Sequence, residues 1–153
     1  SCEDQPSGTV KGGAYAMSRW ICDWMNDFAA RASWTQNAEK NQVNHAPQLV
    51  IEGGCDQAAA AGEEVQIRVS AEDPGDTMTL SWWRYEEADS CSEEIELQQE
   101  QNEEGTCGSV SFTVPGAAQK GETIHLILAC RDAANGEFPE YMTMYARVIV
   151  TVV

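Results

Sequence analysis

Two hydrophobic rhythms divide the chain. Between residues 15 and 34, Met17, Trp20, Ile21, Trp24, Met25, Phe28 and Ala29 recur at three- and four-residue steps, which predicts a helix with one apolar stripe. That stripe is rich in aromatic rings, so it should dock against the rest of the chain or against another chain. From Gln48 onward the period becomes two. Val65, Ile67, Val69 and Ala71 share one face, as do Met78, Leu80 and Trp82, then Val110, Phe112 and Val114. Ile124, Leu126, Leu128 and Cys130 follow, and Met142 to Val152 repeats the pattern. Gly53-Gly54, Asp73-Pro74-Gly75-Asp76, Pro115-Gly116 and Asn135-Gly136 supply the turns. The strands predicted are 48–53, 63–71, 78–85, 95–100, 109–114, 123–131 and 141–152. With no helix between them, they predict a mainly β chain: an immunoglobulin-like antiparallel sandwich over 48–153. Residues 1–47 form a helical extension, bounded by the polar stretch that ends in Asn44-His45-Ala46-Pro47. Phase places Trp82 in the core and turns Trp83 and Tyr85 to the outer face.

Charge narrows the partners. The 153 residues carry a formal net charge of −16, and no Lys or Arg occurs from Tyr85 to Gln119. Glu86, Glu87, Asp89, Glu93, Glu94, Glu96, Glu100, Glu103 and Glu104 crowd that stretch. It reads as a solvated face, or as a docking surface for a basic partner or divalent cations. Nucleic acid and anionic membrane surfaces would repel the chain, and no apolar run is long enough to span a bilayer. The start, Ser1-Cys2-Glu3-Asp4, has neither an initiator Met nor a signal peptide, as expected of a processed product or a fragment.

Six cysteines stand at positions 2, 22, 55, 91, 107 and 130, with no zinc-knuckle or redox spacing. They predict disulfides and hence a secreted, extracellular protein. Counting strands suggests Cys55 with Cys91, Cys107 with Cys130, and Cys2 with Cys22. Pairing of Cys91 with Cys107 is the rival, and Cys2 could instead tether a second chain.

Candidate chemistry is sparse. There is no Gly-x-Ser-x-Gly elbow, phosphate loop or His-Glu-x-x-His. His125 alternates with Ile124 and Leu126 and should point outward as a surface residue. The chain is expected to be no enzyme by itself. Trp83 and Tyr85 could stack on a sugar ring, or pack beneath the 15–34 helix or against a neighbouring domain. Asp73 and Asp76 make either a plain Asp-Pro-Gly turn or, helped by Glu72 or backbone carbonyls, a calcium site. No other cofactor is expected.

Trp24-Met25-Asn26-Asp27-Phe28-Ala29-Ala30-Arg31 with Trp34-Thr35 resembles the joining segment of a bacterial and microbial family of cellulose-binding proteins with a nucleoside-hydrolase-like domain. Asn44-His45-Ala46-Pro47 is similar to its boundary motif, and Asp73 to Ala88, through Trp82-Trp83, to the turn and double-Trp strand of its C-terminal sandwich. Thr113-Val114-Pro115 and Lys120 to Leu128 continue in order, and Gln5-Pro6-Ser7 with Gly12-Gly13-Ala14-Tyr15 looks like the tail of the hydrolase-like half. The Asp73 turn also resembles, one Asp short, an Asp-Pro-Asp-Gly-Asp turn of related sandwich modules that is linked to calcium. The resemblance implies a non-catalytic glycan-binding or assembly module that docks to a separate hydrolase-like chain through Trp20, Trp24 and Phe28. The alternatives are a structural subunit of an extracellular multi-chain assembly, or an accessory part of a hydrolase active on nucleosides or glycans. The hydrolase-like domain itself is missing from this sequence, so its aspartate cluster and nucleoside pocket do not carry over.

Overall fold

A computed structural model describes residues 18–36, 44–74, 76–133 and 141–153. Helix α1 spans Ile21–Trp34. The strands are β1 (Gln48–Ile51), β2 (Asp56–Ala59), β3 (Glu64–Glu72), β4 (Met78–Arg84), β5 (Gln98–Gln101), β6 (Cys107–Thr113), β7 (Thr123–Asp132) and β8 (Thr143–Val152). They form two four-stranded sheets, β1-β3-β6-β5 and β2-β8-β7-β4. The predicted beginning of the helix, 15–17, lies outside the described residues.

Alternation builds the core as expected. β3 is buried at every second residue, and Ile67, Val69, Leu80, Trp82, Val110, Phe112, Leu126, Leu128, Val148 and Val150 meet between the sheets. β2 departs from the prediction. Its sequence, Asp-Gln-Ala-Ala, carries no apolar alternation, so the signal used for the other strands is missing. The ladder forms it: β2 pairs parallel with β8, so the second sheet is mixed rather than wholly antiparallel. Gly53 and Gly54, at φ +79° and +82°, let the chain cross from one sheet to the other.

The sandwich closes one open side with glutamines. β5 and β4 are edge strands of different sheets. Gln99 Oε1 accepts from Trp82 N at 2.8 Å and its Nε2 donates to Trp82 O at 2.7 Å, while Gln101 Oε1 accepts from Leu80 N at 2.8 Å. Side-chain amides thus satisfy the backbone groups that β4 would leave bare.

The predicted pairings of the sandwich cysteines do not form: Cys55, Cys91, Cys107 and Cys130 are free. Cys55 precedes β2 at one edge of the second sheet and Cys91 follows β4 at the other, three strand spacings or roughly 14 Å away. Cys107 stands on the exposed face of β6, whereas Cys130 points into the core, so strand parity keeps these two apart. The rival pair fails too, since Cys91 is buried and Cys107 exposed. Cys22 is disulfide-bonded, and Cys2 lies outside the described residues.

Candidate functional site

The outer face of the second sheet receives the N-terminal element. Trp20 lies between two sheet aromatics, edge-on to Tyr145 at 4.7 Å and tilted on Trp83 at 5.9 Å between centroids. The Arg19 guanidinium sits 5.6 Å from the Tyr85 ring and pairs with Glu87. Asp23 is the polar anchor. It is buried, and its carboxylate accepts from the Tyr145 hydroxyl, from Thr143 Oγ1 at 3.1 Å and from Arg131 at 3.4 Å. Burial, then the hydrogen bond and charge of Asp23, push the Tyr145 phenol well above its ordinary range. Trp83 and Tyr85 are therefore taken up by Trp20 and Arg19. Both side chains are partly buried there.

Helix α1 turns its apolar stripe outward. Its buried residues are Asp23 and Ala30, while Ile21, Trp24, Met25 and Phe28 are 49–69% exposed. Of the three aromatics expected to dock a separate chain, Trp20 rests on the sandwich instead. Trp24 and Phe28 face away from it, with Met25, Ala29 and Ala32 beside Phe28 along a shallow groove.

The acidic segment after β4 is pinned from inside. Arg84 donates to Asp89 and to the carbonyls of Cys91 and Glu93, and Asp89 also accepts from His125 N at 2.6 Å. His125 corrects the outward surface reading. It does leave the core face, but it is only 6% exposed, because this outer face is itself covered. Burial, then Arg147, lowers its pKa.

At one end of the sandwich, Asp73 and Asp76 meet Asp132 from the end of β7, the three offering carboxylate oxygens within 4.8 Å of one another. Glu72, the helper expected from the sequence, alternates to the exposed face. Asp132 was not legible as a partner, since only the β4–β7 register, which sets Met78 opposite Asp132, carries it to the turn. Burial first, then the charges of Asp132 and Asp76, raise the Asp73 carboxyl to about 6, and burial also raises Asp132.

These features define an immunoglobulin-like module with a helical extension laid over one sheet. Residues 64–152 match the family described as the C-terminal domain of cellulose-binding protein Sde0182, over more than half the chain, and the chain belongs to that family. Among solved structures, it is similar to a nucleoside hydrolase-related hypothetical protein from Saccharophagus degradans, described as associated with carbohydrate metabolism. The similarity has a TM-score of 0.75 at 31% identity and covers 90% of this chain and 33% of that one. The chain thus spans about a third of that relative's length. No curated protein matches the chain.

Proposed function

We propose that this chain is a non-catalytic extracellular module of a nucleoside-hydrolase-related protein. It serves glycan attachment or assembly and docks a hydrolase-like chain through the outer stripe of α1. The observation that carries the docking is the exposure of Ile21, Trp24, Met25 and Phe28. Spaced at i, i+3, i+4 and i+7, they form one continuous apolar strip that the sandwich leaves uncovered. The glycan role is supported by membership of a cellulose-binding family and by the relative's association with carbohydrate metabolism. The same membership supports an extracellular setting.

The test is binding of the purified chain to the hydrolase-like part of a family member and, separately, to cellulose. Trp24→Ser with Phe28→Ser should weaken capture of the hydrolase-like part at least tenfold. Both side chains are exposed, so folding stability should stay within about 0.5 kcal/mol per site. Undiminished capture by this double variant would end the docking assignment. Loss of cellulose binding instead would make the strip a glycan platform.

A further inference from the structure

The outer face of the first sheet carries a groove that the docking strip does not use. Ile95 and Leu97 pack against the core, and their parity turns Glu94, Glu96 and Gln98 outward. Glu64 on β3 and Ser111 and Thr113 on β6 line the same groove. Its volume of about 360 Å³ lies within the roughly 300–1,000 Å³ of small-molecule sites. The rim is held in place, because Arg84 donates to the carbonyls of Cys91 and Glu93 and so fixes the segment leading to Glu94. Half-buried Ile95 and Pro115 add apolar surface to the polar border.

The border is built of idle hydrogen-bonding groups. Among the described residues, none of these six polar side chains makes a hydrogen bond or an ion pair. Neighbours of the same kind are used: Glu63 accepts from Ala60 N, Glu122 from Gln119 N, and Gln99 and Gln101 bind β4. No described Lys or Arg lines the groove, so its carboxylates repel phosphates, uronates and sulfated chains. Nor do those carboxylates converge as metal ligands would, since among the described residues the only such group is Asp73, Asp76 and Asp132. Separated carboxylates, an amide and hydroxyls suit a neutral ligand rich in hydroxyl groups. Register sets Gln98, Ser111 and Gln66 in one row across β5, β6 and β3. Neighbouring strands stand about 4.8 Å apart, close to the rise of one pyranose along an extended β-linked chain.

We infer that this groove holds a few units of an uncharged, extended glucan chain of the cellulose kind. The inference rests on the glycan role proposed above and gives that role a site. Carboxylates and the Gln98 amide take the sugar hydroxyls, while Ile95 and Pro115 meet the C–H face of a ring. The groove belongs to the first sheet and the N-terminal element lies on the second, so glucan and hydrolase-like partner can be held at once.

The experiment is calorimetric titration of the full chain with cellohexaose, hexagalacturonate and hexalysine, beside pull-down on cellulose. Cellohexaose should bind with little dependence on salt, and the two charged probes should not bind. Gln98→Ala with Ser111→Ala, neither of them buried, should keep the melting temperature and weaken cellohexaose binding by about tenfold or more, as for two lost hydrogen bonds. Glu94→Gln with Glu96→Gln keeps acceptors in place and should weaken it less. Equal affinity in the Gln98→Ala, Ser111→Ala variant overturns the site and leaves the glycan role standing. Cellulose pull-down without cellohexaose binding does the same, since the groove fits a single chain. If the unaltered protein binds neither, site and glycan role fall together. Binding of hexalysine alone, lost in salt and in Glu94→Gln with Glu96→Gln, overturns the inference in favour of a basic peptide.

Discussion

The two faces of the second sheet are held by different physics. Toward the interior, Leu80, Trp82, Leu126, Leu128, Val148 and Val150 are buried by apolar contact with the opposing sheet. Such contact is non-directional and tolerates any partner of suitable shape. Toward the outside, Trp20, Trp83 and Tyr145 meet edge-on or tilted, and Asp23 is gripped by three separate donors. Here orientation matters, because a buried carboxylate is tolerated only while its donors stay in place. The inner face therefore makes the fold, and the outer face decides where the helix lies. Anchoring α1 by Asp23 and the Trp20 turn leaves its apolar strip pointing away from the sandwich.

The largest effect should come from the inner face. Leu128 is fully buried, so Leu128→Ala should cost about 2–5 kcal/mol in denaturant unfolding. A loss well under 1 kcal/mol would mean that the sheets do not close on each other as described. Removing the outer anchor should cost less and act locally. Asp23→Ala strands the Tyr145, Thr143 and Arg131 donors, with an expected loss of about 1–3 kcal/mol. Tryptophan emission should shift to the red as Trp20 leaves Trp83 and Tyr145, while the strand signal in circular dichroism persists. Loss of both signals together would show that the two faces fold as one unit.

The smallest effect concerns pH. His125 lies with Thr123, Asp89 and Arg147 on the covered outer face, and its pKa is lowered. Above about pH 6.5 it is neutral whether the chain is folded or not. Below that, the unfolded chain takes up the proton first, so this residue subtracts stability as the pH falls. His125→Gln should flatten that decline between about pH 7 and 5.5. An unaltered slope would show that the outer face does not shield His125 from water.

Much of the sandwich was legible because strand parity is a local property. Trp82 belongs inside on phase alone, since it follows Met78 and Leu80 at steps of two. β2 was not legible, because Asp56-Gln57-Ala58-Ala59 has no pattern and exists through its ladder with β8. The cysteine pairings failed for a related reason. Counting strands says which end of the molecule a residue occupies, but not which edge or which face. The helix was legible as amphipathic, yet its orientation was not. The stripe alone left open whether it meets the sandwich or another chain, and Asp23, a single polar residue with three partners, turns the opposite side of the helix to the sheet.

What the sequence by itself determined is the class of molecule: alternating strands that must close into a sandwich, an amphipathic extension, and a strongly acidic surface. Periodicity and charge suffice for these because each depends on near neighbours along the chain. Tertiary structure alone decided which stripe of α1 stays bare, which thiols remain apart, and that Asp132 joins Asp73 and Asp76 across 55 intervening positions and more. Those outcomes depend on strand order and register, which bring distant residues to one place and leave no mark on the local pattern.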